Sequence, residues 1–149
     1  MRTNRSAPAA AIVPVLIYED VSAAVDWLCR AFGFSERLRH ERDGVVGHAQ
    51  LVAGDGAIML GSQGGPYRAR GDHGVSSCVL VMVDDVDGHF QRASASGARI
   101  VSPPADMPFG ERQYTVQDCG GHWWTFSQHV ADVPPEEWGA TTATPASAV

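Results

Sequence analysis

One order of elements occurs twice along the chain, and it restricts the fold more than any other feature of the sequence. The first copy begins with a short apolar, β-rich run, and Asp20 follows it where a carboxylate can cap a helix. Apolar residues then recur at helical spacing until Gly33, which stands where a left-handed residue ends a helix. Three more strands are predicted after it. The strands of this copy are expected at 12–18, 34–41, 45–53 and 57–60.

The second half repeats this order at a distance of roughly 65 residues, which is beyond the period of common solenoid repeats. Asp84 or Asp85 can cap its helix, and Gly97 ends it. The strands of this copy are expected at 77–83, 98–101, 112–116 and 123–126. The sequence therefore predicts an α+β fold built from two tandem βαβββ modules, with one main helix per module.

The boundaries of these units can also be read from composition. We expect one domain at 12–129, with modules at 12–61 and 76–129. A glycine-rich, charged segment at 62–75 would link them, and its length also suits a loop over a site. A flexible N-terminal tail is expected at 1–11. A largely disordered C-terminal tail is expected at 130–149, because its last residues are almost all Ala, Thr, Ser and Pro.

The charge balance and the apolar runs narrow the possible partners. A formal net charge of −6 disfavours nucleic acid and anionic membranes, and it suits a neutral or cationic small molecule. No run reaches the roughly 18 apolar residues of a membrane helix, so a cytoplasmic protein that binds no membrane is expected. The three cysteines form no CxxC motif. Neither a disulfide framework nor a zinc knuckle is therefore indicated.

Five short motifs, in this order and spacing, resemble a known family. They are Tyr18-Glu19-Asp20-Val21, Ala31-Phe32-Gly33-Phe34, Val83-Asp84-Asp85-Val86-Asp87, Gly97-Ala98 and Asp118-Cys119-Gly120-Gly121-His122. Across 12–129 the chain resembles the vicinal oxygen chelate superfamily, the glyoxalase/bleomycin-resistance group, although Cys119 stands where proline is common. The resemblance implies mixed sheets that curve around a ligand cup, and a homodimer in which two chains complete their cups.

The resemblance also implies where a metal site would lie. Metal-dependent members place His or Glu on the first and last strand of each module, and by spacing those positions are Val13, Met59, Cys78 and Thr125. One thiol beside a thioether cannot supply the three or four ligands that zinc, nickel or iron requires. We therefore expect no metal and no cofactor, and we place Met59, Cys78 and Thr125 among the ligand-binding residues.

Polar residues that alternate with apolar ones are candidates for the wall of the cup. His48 and Gln50 alternate with small or apolar neighbours, and Gln113 and Thr115 do the same in the second module. Period-two alternation puts each pair on one face of its strand. The same pattern is also typical of a strand whose polar face meets solvent, so both interpretations stay open.

Three further residues complete the set of candidates. The resemblance implies that Trp123 lies on the cup side, where its ring could stack on an aromatic or cationic ligand, although a core tryptophan is the more frequent role. Glu111 and Arg112 lie where a loop meets a strand and could hold a polar group, or could form an exposed ion pair. With His48 as base and Glu111 as acid, proton transfer without metal is conceivable. The remaining histidines, read as surface or structural, include His40, His73, His89 and His129.

Three functions fit these predictions. The first is a metal-free binding protein that sequesters a small aromatic or cationic compound in its cup. The second is a glyoxalase-like lyase or isomerase for a small carbonyl compound, either metal-free or with metal ligands that the spacing misplaces. The third is an interaction module, for which no charge run or amphipathic stretch gives support. Fold and family alone do not choose between binding and catalysis.

Overall fold

A computed structural model describes residues 4–69, 75, 77–140 and 142, and within them the predicted repeat is confirmed. The first module consists of β1 (Val15–Tyr18), α1 (Val21–Phe32), β2 (Ser35–Arg42), β3 (Val45–Ala53) and β4 (Gly56–Ser62). The second consists of β5 (Val79–Met82), α2 (Val86–Ala95), β6 (Arg99–Asp106), β7 (Glu111–Gln117) and β8 (Trp123–His129). His73 and part of the predicted linker lie outside the described residues.

Each module forms its own four-stranded mixed sheet, so the fold is the expected α+β type. The strand orders are β1-β4-β3-β2 and β5-β8-β7-β6. The first strand of each module runs parallel to the last, and the other pairs are antiparallel. Both sheets are open, with β1 and β5 as free edge strands in the described part of the chain.

The helices begin and end where the local sequence signals stand. The Asp20 carboxylate accepts a hydrogen bond from Ala23 N at 3.0 Å, and Gly33 ends α1 with φ +75°. In the second module Asp85, not Asp84, is the cap, because it accepts from Gly88 N at 3.0 Å. Neither helix in the described residues has the length and hydropathy to span a bilayer.

The two modules share one core, which is formed by the helix-facing sides of both sheets. Phe32, at the end of α1, packs edge-on against Trp124 and Phe126 of the second sheet at centroid distances of 5.6 and 4.9 Å. Arg92 and His89 of α2 donate to backbone carbonyls at the end of α1. Because one module satisfies the helix end of the other, the two halves are a single packed unit.

The motif 118–122 joins the modules. The buried carboxylate of Asp118 accepts four hydrogen bonds: from Tyr18 OH at 2.6 Å, from Trp124 Nε1 at 3.0 Å, and from the backbone N–H groups of Gly120 and His122 at 2.9 Å each. A Cβ on Gly120 would lie 2.5 Å from the ring of Tyr18. The glycine therefore permits the close approach of β1 to this turn. Burial raises the pKa of the Tyr18 hydroxyl, and the neighbouring Asp118 adds to that shift.

Two segments differ in length from the prediction. Strand β6 runs to Asp106, well past the predicted end at 101, with its pairing to β7 shifted at two places. It is an edge strand, and prolines 103 and 104 fall at the second shift, between the paired positions Ser102 and Ala105. In the predicted C-terminal tail, the residues Pro135–Trp138 form a 3-10 turn, and Trp138 packs on Phe109 at 5.8 Å. Residues 141 and 143–149 lie outside the described part.

Candidate functional site

Each sheet has one side packed on the helices and one side turned away from them, which we call the open face. On β3, Ala49 and Leu51 are buried in the shared core, so His48 and Gln50 lie on the first open face. On β8, Trp124 and Phe126 are in the core, so Trp123 and Thr125 lie on the second open face. These orientations follow the predicted alternation.

The second open face carries a continuous row of cross-strand polar pairs along β7 and β8. At one end the Glu111 carboxylate contacts His129 Nδ1 and accepts from Ser127 Oγ at 2.9 Å. Gln113 Nε2 donates to the same Ser127 Oγ at 3.1 Å. Next along the row, the hydroxyls of Thr115 and Thr125 lie 2.9 Å apart. We call this row, which ends at Gln117 and Trp123, the β7–β8 stripe.

The stripe ends beside a small cavity. Trp123 Nε1 donates to Gln117 Oε1 at 3.3 Å, which fixes the indole against the strand. The Cys78 thiol lies 3.4 Å from the Thr125 hydroxyl. A cavity of about 230 Å³ is lined by Trp123, Cys78, His122 and Leu16 among others. The structure thus brings together six of the candidate residues on one face: Cys78, Glu111, Gln113, Thr115, Trp123 and Thr125.

Arg112 lies on the opposite side of its strand from this stripe. Its guanidinium donates to Asp87 on α2 at 3.0 Å and to Asp106 on β6 at 3.1 Å. Neighbouring residues of a strand point to opposite faces, so Arg112 and Gln113 cannot share one. The structure therefore does not bring Arg112 into the candidate site.

The first open face carries a second polar set, and one member of it was not predicted. Gln50 Nε2 donates to His48 Nε2 at 3.1 Å, so that ring nitrogen acts as an acceptor. Gln50 Oε1 accepts from Arg37 Nη1 at 2.6 Å. Met59 on β4 is the register partner of Gln50 on β3 and lies on the same face. Arg37 follows Glu36, which pairs with Leu51 of the core, so it lies on this face, and the register shift then puts Leu38 on the same face.

His48 and Glu111 do not meet. No hydrogen bond or ion pair joins them among the described residues, since they lie on different sheets and have different partners. The imidazole that contacts Glu111 is His129, which sequence reasoning read as surface or structural. His129 is exposed and lies directly opposite Glu111 in the sheet register, a pairing that becomes visible only once the strands are aligned.

The positions that would hold a metal offer a poor set of ligands. Cys78 and Thr125 are in contact, and Met59 is on the other sheet, so one thiol, one hydroxyl and one thioether are present. Among the described residues, no group of three or more His, Cys, Asp or Glu could hold a metal ion. These donors do not fit the zinc, nickel or iron chemistry of the metal-dependent proteins.

Comparison with known proteins decides the family. The model of the Glyoxalase/Bleomycin resistance protein/Dioxygenase superfamily matches residues 11–126. The chain belongs to this superfamily. Among curated relatives, an uncharacterized protein of Mycobacterium bovis is 31% identical over 134 residues, covering 85% of this chain and 88% of the relative. An uncharacterized protein of Mycobacterium tuberculosis matches at the same identity, over 85% of this chain and 79% of its own.

Solved structures of other proteins share the fold. TioX from Micromonospora sp. ML1 is 44% identical, with a TM-score of 0.70 over 81% of this chain and 99% of that one. A glyoxalase/bleomycin resistance protein/dioxygenase from Nocardioides is 19% identical, with a TM-score of 0.62 over 93% and 91% of the two chains. The second likeness shows the fold alone.

Proposed function

We propose that this superfamily member binds a small aromatic or cationic molecule along the β7–β8 stripe without a metal, and so sequesters it. The observation that carries the proposal is the chemistry of the stripe, which has an indole at one end, a carboxylate at the other and hydroxyl and amide groups between. Its seven paired positions span roughly 20 Å at the rise of an extended strand. A planar group on Trp123 and a positive charge at Glu111 would match its two ends.

The charge of the chain supports the same class of ligand. A net charge of −6 favours the approach of cations over anions. Glu111 is held by Ser127 and His129, and its side chain is only 18% exposed, so it is oriented before a ligand arrives. A preoriented carboxylate binds more tightly because its side chain loses less conformational entropy on association.

A titration with a planar aromatic cation, such as ethidium, tests this proposal. We expect binding that leaves the compound chemically unchanged, with Trp123→Leu weakening it by about 2- to 30-fold, as expected for a contact of roughly 0.5–2 kcal/mol. Glu111→Gln should weaken the cation more than a neutral planar analogue. Trp138→Leu is the matched control, because Trp138 lies in the 3-10 turn, where it packs on Phe109, and is not part of the stripe. Equal affinities in all three variants would refute the stripe as the site.

A homodimer is part of the proposal, and the free edge strands support it. Val15 on β1 and Leu80 and Met82 on β5 are exposed on the open faces at 56, 53 and 45%. An unpaired edge that exposes apolar side chains favours association. Leu80 pairs with Thr125, so a second chain at this edge would extend the wall of the stripe. Leu80→Glu should yield monomers in sedimentation, whereas Val101→Glu, on the far edge strand β6, should not.

The cytoplasm remains our proposed location. Cys29, Cys78 and Cys119 are all unpaired, as expected in a reducing compartment.

Catalysis is a second candidate, supported by the contact between Glu111 and His129 beside Ser127. A carboxylate and an imidazole in contact can move a proton next to a carbonyl group, which would suit a metal-free lyase or isomerase. Incubation of small α-hydroxycarbonyl compounds in D₂O would reveal it as deuterium exchange at the carbon beside the carbonyl. Exchange that persists in Glu111→Gln would rule out this pair as the catalyst.

A further inference from the structure

The first open face already has an occupant, which is the N-terminal segment of the same chain. The residues from Asn4 to Ala7 form a turn, in which Ala7 N donates to Asn4 O at 3.3 Å and Ser6 N donates to the Asn4 side chain at 3.0 Å. This turn lies over β2 and β3. Gln50 beneath it is only 1% exposed, although it belongs to the open face. The sequence alone predicts a flexible tail here.

The turn is held through its backbone carbonyls. Arg37 Nη2 donates to Arg5 O at 2.7 Å and to Ala7 O at 3.0 Å, and Gln50 Nε2 donates to Ser6 O at 3.0 Å. Three successive carbonyl groups therefore meet the side chains of two neighbouring strands. No side chain of residues 5–7 takes part in these bonds, so the recognition depends on the peptide backbone and its turned shape.

The receiving side chains are braced by one another. Arg37 Nη1 donates to Gln50 Oε1 at 2.6 Å, and the Gln50 amide also donates to His48 Nε2. Arg37 lies at the bulge of β2, between Glu36 and Leu38. With the turn removed, Arg37 Nη2 and one Gln50 N–H would remain as converging donors, partly buried and without carbonyl partners. Such donors gain by binding another group of acceptors.

We infer that the first open face is a binding site for a turn of clustered amide carbonyls, and that the Asn4–Ala7 turn is its intramolecular ligand. A peptide-like molecule that presents such carbonyls must displace this turn to bind. Because a short tether acts like a millimolar concentration of ligand, even a weakly bound turn keeps the site occupied. The inference goes beyond the proposed function, since it concerns the other sheet and requires no ligand on the β7–β8 stripe.

The test uses the full chain and a synthetic peptide of residues 1–11 as the probe. Ser6→Pro in the chain removes the N–H that Asn4 caps and places proline at the third turn position, where it is disfavoured. This change lies in an exposed turn and leaves the core intact. The chain's own turn should then no longer occupy the site. The unmodified peptide should bind the Ser6→Pro chain about tenfold more tightly than it binds the unaltered chain. NMR of the Gln50 side-chain amide reports occupancy directly.

Matched arginine variants identify the receptor. In the Ser6→Pro chain, Arg37→Ala should abolish peptide binding. Arg39→Ala should leave it unchanged, because Arg39 lies on the same strand but binds Glu36, Ser22 and Asp26. Backbone NMR spectra establish that each variant is folded.

Three results would overturn the inference: equal peptide affinity for the Ser6→Pro and unaltered chains, binding that survives Arg37→Ala, or equal losses in the two arginine variants. The aromatic-cation titration is independent of all of them, because it reports on the other sheet.

Discussion

Replacing Asp118 by Asn should destabilise the protein far more than a change of one atom suggests. The carboxylate accepts from two side-chain donors through Oδ2 and from two backbone N–H groups through Oδ1. In the Asn variant, an NH₂ group must replace one of these oxygens. If it faces Tyr18 and Trp124, the tyrosine hydroxyl can rotate to accept, but the indole N–H is left opposing a donor. If it faces the backbone, two N–H groups lose their acceptor.

The size of the loss follows from these contacts. A buried donor left unpaired costs about 1–3 kcal/mol, and a bond to a charged acceptor contributes about 1.5–3 kcal/mol. The weaker amide acceptor and one orphaned indole together give an expected loss of about 2–4 kcal/mol. For a chain of this size, 1 kcal/mol shifts Tm by roughly 2–4 °C. Asp118→Asn should therefore lower Tm by about 5–15 °C.

Urea unfolding followed by tryptophan fluorescence measures the free energy directly. Tyr18→Phe removes one of the four bonds and should cost about 1–3 kcal/mol. In the double variant the losses should be less than additive by about 1 kcal/mol, since both changes affect one network. Asp84→Asn, an exposed carboxylate that caps neither helix, is the control. An Asp118→Asn protein within 0.5 kcal/mol of the unaltered chain would refute the assignment of this carboxylate as the joint between the modules.

Three smaller perturbations test other contacts. Gly33→Ala should cost about 1–2 kcal/mol of unfolding free energy because of the positive φ at residue 33. In urea titrations it should cost more than Gly97→Ala, because the Cβ of residue 33 would lie 2.9 Å from Arg92 Nη1 while that of residue 97 would meet nothing within 4 Å. Burial lowers the pKa of His89, so the folded state keeps the ring neutral while the unfolded state takes up a proton below about pH 6.5. Stability should thus fall from pH 7.5 to 5, and an unchanged fall in His89→Gln would contradict this cause. Arg112→Ala should lower Tm only slightly, and less at high salt, because its ion pairs are partly exposed.

The order of elements could be predicted because its signals are local. A capping Asp, apolar residues at helical spacing and a left-handed Gly act within a few residues of one another, and they placed both helices closely. Alternation indicated that Trp123 and Trp124 lie on opposite faces of β8, and the family resemblance indicated which of the two faces the cup. The same alternation places Arg112 on the face of β7 opposite to Gln113.

The rest of the candidate site depends on contacts between distant residues. The bulge after Arg37 puts Arg37 and Arg39 on opposite faces of β2, whereas alternation alone would put them on the same face. The bonds of Arg37 to the N-terminal turn link residues 30 or more positions apart. The Ala- and Pro-rich composition of residues 7–14 indicates flexibility, and only the folded sheet supplies the donors that hold the turn. The pairing of Glu111 with His129 also required the register of β7 and β8.

The two modules are unequal, because the end of α1 depends on donors from the second module. The last carbonyls of α1, at Cys29, Arg30 and Phe32, accept from Arg92 and His89 of the second module. The end of α2 is closed by its own backbone, through Ser96, Gly97 and Ala98. Consider a chimera of the first module and the second module of a relative. The last carbonyls of α1 would lack these hydrogen-bond donors unless the relative's module supplied equivalent ones.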